Sequence, residues 1–427
     1  MRSRLWATLA VVAFLATACH GTATAAEPPL VVGAIYPLTG PQAEPGGQEL
    51  SGVKLALKLL QGKVDGRPIQ LKVIDVQSTS DARAAVDELV DRYHVPLIIG
   101  SQVSALSVAA ATEADKRKVV FWETGAVADE VTLNRSWVFR TVATGDTLGR
   151  TAGDFTADTL IPQLGESPGG ARVVIAHVND SYGNSVAAGE VDRARAHGLV
   201  VVDDIPYNPS AFDTVALVAQ IKADRPDYFW DVSYVADGVA IWREVVSQAV
   251  SLRAAVGTSS AFCTPEFGQQ LGPLAVGVFA ADKPDQTISP SALSPAAKVL
   301  LQNALAEYGH QAPGAPMTIA VMAGFVGGWV LFHDTLPSIT GPVIATSIRA
   351  AADAVDLPAG QEINGAGVYF ARPGSSDAGQ NLRAAADVSE WTGVNQMQAV
   401  YPSGYATAVP LFVGPPGSGG TGRTGSP

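Results

Sequence analysis

The sequence predicts an α/β fold in two doubly wound, Rossmann-like lobes, from three observations. Short apolar runs alternate with helical patterns along most of the 427 residues, the arrangement that parallel sheets with crossover helices require. The series of strand, polar loop and helix runs twice, over about 30–142 and about 146–275. The length exceeds what one hydrophobic core usually takes, so two lobes are expected.

The first unit opens on Leu30–Tyr36, a nearly continuous apolar run that reads as a strand buried on both faces. Pro37, Gly40, Pro41, Pro45, Gly46 and Gly47 read as a loop. From about Glu49, Leu50, Val53, Leu55, Ala56, Leu59 and Leu60 recur at helical spacing. Ile69–Asp75 is the next expected strand, and Asp81–Arg92 the next helix, with Asp81 as its N-cap. Val95–Gly100, Ala105–Lys116 and Val119–Trp122 continue the unit as strand, helix and strand. In the second unit the expected strands are Arg172–Val178, Leu199–Asp204, Tyr228–Ser233 and Val276–Ala281. Helices fall between them at Asn184–His197, Val215–Ala223 and Gly238–Gln248. Ile319–Phe332 is apolar, but short and interrupted by glycines, and reads as a buried helix.

Both ends of the chain differ from this body. Residues 1–18 read as an export signal, with Arg2 and Arg4 ahead of the apolar stretch Leu5–Leu15. Two cleavage readings stand. In one, Leu15-Ala-Thr-Ala-Cys19 is a lipoprotein box and Cys19 takes the lipid; in the other, Ala23-Thr-Ala25 is an ordinary cleavage site. The first is favoured because Cys19 follows directly on the apolar core. Residues 19–27 then form a linker, and 413–427 a Gly/Pro/Ser-rich disordered tail. Cys263 is the only other cysteine, so an acylated Cys19 leaves no intrachain disulfide.

Composition excludes more than it assigns. The chain is 47% hydrophobic and 16% charged, with a net charge of -12. That argues against nucleic acid, which needs clustered Lys and Arg. The histidines form no HxxxH or HExxH pair, and His177 inside a strand reads as structural. There is no Walker A motif, no GxGxxG after the first strand, and no GxSxG. No metal, cofactor or catalytic group is therefore expected.

Polar and aromatic residues at strand ends are the remaining candidates. Ser104 opens a helix after Gly100, where free N–H groups favour a carboxylate. It could equally act as an N-cap alone, and both can hold. Tyr182 and Tyr234 follow strands of the second unit and offer flat walls or core packing. Glu123 ends a strand and could meet a ligand ammonium or an arginine of the fold.

The chain resembles the leucine/isoleucine/valine-binding protein family, the type I periplasmic solute-binding proteins of branched-chain amino-acid ABC importers. The stretches that carry the resemblance are Pro37-Leu-Thr-Gly-Pro with Gly52, Ile98-Ile-Gly100 with Ser104, Trp137-Val-Phe-Arg-Thr141 and Asp180-Ser-Tyr-Gly183. Pro226-Asp227, Ser233-Tyr-Val-Ala-Asp237, Thr264-Pro-Glu-Phe267 and Val400-Tyr-Pro-Ser-Gly-Tyr-Ala-Thr407 add to it. Their order covers nearly all of residues 30–412.

The resemblance implies two lobes joined by three crossing segments that close on a solute by hinge motion. One lobe would comprise 28–142 plus 279–360, the other 143–278 plus 361–412. Carried over by position, Ser104 and the Gly125 backbone would hold a ligand carboxylate, with Gln102 and Ala126 beside them. Tyr182 and Tyr234 would form aromatic walls. Val127 falls where amino-acid binders carry a threonine, and Ser259 about where they carry the glutamate that pairs with the ammonium. Pro45 replaces an aromatic lid residue, and Ser80 and Val103 sit where those binders have a disulfide. A buried ammonium without a carboxylate is costly. So either Glu123, Asp180 or Asp237 serves it, or the ligand is not an α-amino acid. The implied function is capture of an amino acid or related small carboxylate or amide. The implied setting is a monomer outside the cell membrane or in the periplasm, partnered by a membrane permease and lipid-anchored if Cys19 is acylated. A ligand-sensing module of the same fold and an exported hydrolase are the competing readings.

Overall fold

The computed structural model describes residues 28–411. The signal segment 1–18, Cys19, the 19–27 linker and the 413–427 tail lie outside the described residues.

Two open sheets organise the chain. The first contains β1 (Leu30–Tyr36), β2 (Lys63–Val64), β3 (Arg67–Asp75), β4 (Leu97–Gly100), β5 (Val120–Glu123) and β6 (Val138–Arg140), in the order β2-β3-β1-β4-β5-β6. All its pairs are parallel except β2 with β3. Its helices are α1 (Ala43–Leu59), α2 (Thr79–Asp91) and α3 (Ser104–Arg117). The second sheet follows α4 (Gly145–Phe155) and its extension through a π-turn (Thr156–Leu160) into α5 (Ile161–Gln163). Its central strands are β7 (Arg172–Val178), β8 (Val200–Tyr207), β9 (Tyr228–Val232), β10 (Ala254–Thr258) and β11 (Phe279–Asp282). Between them run α6 (Ser181–His197), α7 (Thr214–Asp224), α8 (Val235–Ser247) and α9 (Pro265–Leu271).

The chain then returns to the first sheet. Helices α10 (Pro295–Gln311), α11 (Ile319–Trp329) and α12 (Ala345–Asp353) share a core with β1, β4 and β5. A two-stranded ribbon, β12 (Asp356–Leu357) with β13 (Val368–Tyr369), belongs to the same cluster. Finally β14 (Asp387–Gly393) and β15 (Gln396–Tyr401) add antiparallel to β11, giving the order β15-β14-β11-β10-β9-β7-β8.

Several expectations change in detail. Helix α1 begins at Ala43 and takes in Pro45, Gly46 and Gly47, which the sequence reads as loop. Proline is tolerated there because the first-turn N–H groups have no intrahelical acceptor. Ser78, not Asp81, caps α2, and its hydroxyl accepts from the Asp81 N–H at 3.1 Å. The strand at 279 belongs to the second sheet, where Phe279 pairs with Val256 and Glu390. Ile363, Val368 and Phe370 bury into the first core, beyond the expected limit at 360. Beads of local pattern cannot show these exchanges, because the pairing partners lie far off in sequence.

Strand order positions the site. In the first sheet β1 lies between β3 and β4, and in the second β7 lies between β8 and β9. These are reversals of strand order, where neighbouring loops diverge and leave a crevice beyond the strand ends. Residues 101–103 follow β4, 179–180 follow β7 and 233–234 follow β9. At the first reversal, Gly100 has φ +148°, and a Cβ there would lie 2.1 Å from the Ile35 carbonyl oxygen. Only glycine lets β4 end this close to β1.

Candidate functional site

A cavity of about 840 Å³ lies between the two sheets. Its first wall includes Gln48 of α1, Gln102, Val103, Ser104, Gly125 and Val127. Its second wall includes Tyr182, Tyr234, Asp237, Arg243 and Ser259. Asp282 and Lys283, where β11 leaves the second sheet, also line it.

Ser104 is the first residue of α3 and is buried. It is not the N-cap; that position is Val103, which makes no side-chain cap bond. The Ser104 hydroxyl accepts from the Ala128 N–H at 3.1 Å, which leaves its own proton to donate elsewhere. The opening N–H groups of a helix of 14 residues lie beside it. This corner of the cavity suits a carboxylate or a carbonyl oxygen.

The Gly125 backbone is committed elsewhere. Glu123 Oε1 accepts from the N–H groups of Thr124, Gly125 and Ala126 at 2.9, 2.7 and 2.7 Å. Its Oε2 accepts from the Ser101 N–H at 2.9 Å and from the Ser107 hydroxyl. The expected use of the Gly125 N–H by a ligand is thus corrected: the protein's own carboxylate occupies that nest. Ala126 does not line the cavity. Burial pushes the Glu123 carboxyl up, and the hydrogen bonds from Ser107, Gly125, Ala126 and Ser101 oppose it. Glu123 is fully buried away from the cavity, so it is not placed to meet a ligand ammonium.

The other two acids considered for that role are also engaged. Asp180 caps α6, with Oδ1 accepting from the Tyr182 and Gly183 N–H groups at 2.9 and 3.0 Å. Its Oδ2 accepts from the Tyr234 hydroxyl at 2.7 Å. Asp237 does line the cavity, but it accepts from the Tyr207 hydroxyl and the Tyr234 N–H. Burial raises its carboxyl, and the Tyr207 hydrogen bond works against that.

The two tyrosines meet the cavity with their rings. Their centroids are 5.4 Å apart and their planes are inclined by 42°. The Tyr182 hydroxyl donates to the Thr258 carbonyl at 2.7 Å, so both hydroxyls hold the walls in place. Ser259 lies on the cavity at φ +62°, its N–H bonded to the Ala281 carbonyl at 2.7 Å.

Sequence reasoning missed several lining groups. Lys283 Nζ stands 3.0 Å from Asp282 Oδ1, and both residues are buried. They end a predicted strand, so the strand-end rule that found Glu123 would also find them. Glu44 of α1 and Glu266 of α9 face each other across the cleft, and the Glu266 contact raises the Glu44 carboxyl. No local signal pairs residues so far apart.

A family model described as "Periplasmic binding protein" matches residues 29–393. "Leu/Ile/Val-binding protein homolog 8" of Brucella suis biovar 1 (strain 1330) is 28% identical over 409 residues, covering 95% of this chain and 98% of the relative. Among solved structures, a leucine-binding protein LivK from Thermotoga maritima aligns with a TM-score of 0.74 at 18% identity, over 87% of this chain and 97% of that one. A solute-binding protein of an ABC transporter from R. palustris, solved with benzoate, aligns with a TM-score of 0.72 at 17% identity, over 89% and 98%. At these identities the structural likenesses show the fold.

Proposed function

The chain belongs to the periplasmic binding protein family, and from that premise we propose that it is the extracytoplasmic receptor of an ABC importer. It would capture a small carboxylate-bearing solute between two lobes and present it to a membrane permease. We assign one lobe to 30–140 with 283–381 and the other to 145–282 with 387–401. The crossings would then fall at three places: after β6, after β11, and between Asn381 and β14.

The observation that carries this reading is the cavity itself. It draws on both sheets at their reversals of strand order, with a hydrogen-bonding corner at Ser104 on one side and tyrosine rings on the other. A carboxylate fits the corner, and an apolar or aromatic group fits the rings. Val127 lines the wall without a hydroxyl, and Ser259 without a carboxylate. Glu123, Asp180 and Asp237 each already accept protein donors. Of these three only Asp237 lines the cavity, with both its donors on Oδ2, so an ammonium would turn to Asp237 or Asp282, and a carboxylate to the Ser104 corner or Lys283. The proposed solute thus belongs to the broader class of amino acids and related small carboxylates or amides, with its carboxylate or carbonyl at the Ser104 corner.

A thermal-shift screen of residues 28–411 tests the reading. Aromatic and aliphatic carboxylates, amides and α-amino acids would be added singly. A ligand that binds only the folded state raises the midpoint once its concentration passes its Kd. Shifts with carboxylates and none with the matching amines are expected. Folded protein that responds to none of these solutes refutes the receptor reading.

A further inference from the structure

Glu49 lies one residue beyond cavity-lining Gln48 on α1 and is fully buried. Its Oε1 accepts from the Thr124 hydroxyl, which also contacts the Tyr36 hydroxyl at 3.0 Å. Its Oε2 has no hydrogen-bond partner, and neither has Oε1 of Gln102. The two unpartnered oxygens converge on one face of Gly125. A Cβ built on Gly125 would lie 1.8 Å from Glu49 Oε2 and 2.5 Å from Gln102 Oε1. Two acceptors side by side in a dry space repel unless a hydrogen stands between them.

We propose that Glu49 is held as a neutral carboxylic acid that donates its proton to Gln102 Oε1, and so fixes the Gln102 amide as a donor toward the bound solute. Glu49 is then a positioning residue, and solute affinity depends on its proton. This rests on the cavity being the solute site. The surroundings favour the neutral form. Glu123, on β5, holds its charge with five donors and repels a second one at Glu49, which has a single donor in Thr124. Burial, the larger cause, acts in the same direction, and the Thr124 hydrogen bond and the Lys283 charge oppose it. Tyr36 of β1 is itself a neutral phenol, raised first by its burial. Helix α11, packed on α1, carries no titratable side chain. Two neighbouring carboxyls in unlike environments thus divide into one charged and one protonated.

Infrared difference spectra of wild type against Glu49→Gln, at about pH 7, read the proton without any ligand. A protonated-carboxyl band that vanishes in the variant is expected. Its absence overturns the proposal, as it would if an ionised Glu49 accepted from a turned Gln102 amide. Titrations with benzoate and with leucine, from about pH 6 to about pH 10, read the coupling. Wild-type affinity should fall toward about tenfold per pH unit above the carboxyl's own pKa. Glu49→Gln keeps a donor in place and should bind within about threefold of wild type, with that slope removed. Equal slopes in both proteins overturn the coupling. If neither probe binds at any pH, the receptor reading fails and the ligand role of Glu49 falls with it, while the infrared band still decides where the proton sits.

Discussion

Alanine at Gly52 and at Gly47, two positions of one helix, should move stability in opposite directions. Both glycines lie in α1, where alanine is intrinsically better by roughly 0.5–1 kcal/mol. At Gly47 an added Cβ meets nothing within 4 Å, so Gly47→Ala should stabilise by about that amount. At Gly52 the Cβ would lie 2.0 Å from the Val321 carbonyl oxygen and 2.6 Å from the Phe325 N, both backbone atoms of α11. Ordinary contact begins near 3.4 Å, so the two helices must part by more than an ångström. Overpacking of this kind costs roughly 1–3 kcal/mol or more, enough to outweigh the helix-propensity gain. The shift also strains the hydrogen bond from the Thr318 hydroxyl to Gln48 Oε1, now 2.7 Å, at the edge of the cavity. Urea unfolding of both variants against wild type, with the slope checked for constancy, reads the signs. A Gly52→Ala protein as stable as Gly47→Ala would refute the claim that backbone contact between α1 and α11 sets this wall of the site.

Three further outcomes follow from the same geometry. Glu123→Gln removes the charge that five donors share, and should destabilise by about 3–5 kcal/mol in a denaturant titration; a loss below about 1 kcal/mol would mean those donors do not depend on it. Tyr234→Phe deletes only the hydroxyl that donates to Asp180, so it should lower stability by about 1–2 kcal/mol and leave solute affinity nearly unchanged, whereas Tyr234→Ala should weaken binding about tenfold or more; equal affinities in the two variants would remove the ring from the site. Burial raises the Asp129 carboxyl to about 6 and the Glu390 carboxyl to about 7, so the folded state binds more protons than the unfolded one and stability should fall as pH rises from about 4 through about 7; a urea midpoint higher at pH 8 than at pH 5 would contradict this.

The sequence is most legible where period and strand ends coincide. The run Leu30–Tyr36 announces a buried strand, and the strand-end rule finds Ser104, Tyr182 and Tyr234, which line the cavity together with Ser259, reached only through the family resemblance. It fails where a side chain's partners lie far along the chain. Glu123 also ends a strand, but its acceptors are filled by residues 101, 107 and 124–126, which turns a candidate ligand into an internal anion. Asp180 is filled in the same way by Tyr182, Gly183 and Tyr234, and Asp237 is engaged on Oδ2 alone, by Tyr207 and Tyr234. Residue type and position along a strand are local properties, whereas the availability of a lone pair depends on tertiary contacts.

That distinction bears on ligand class. A site built for an α-amino acid needs both a donor corner and a buried acid with a free oxygen. The donor corner is present at Ser104. Of the two buried acids on the cavity wall, Asp237 takes both its donors on Oδ2, and Asp282 stands beside Ser259, whose N–H bonds the residue before Asp282 in the chain. It is already held by the Lys283 N–H at 2.7 Å and by the Lys283 ammonium. An incoming ammonium would have to share Asp282 with a buried lysine, at the cost of placing two cations side by side. A second carboxylate or a carbonyl on the ligand would instead meet Lys283 favourably. At the Lys283 end of the wall this asymmetry favours a ligand carboxylate or carbonyl, whereas an ammonium would have to turn to Asp237, whose two donors both fall on Oδ2.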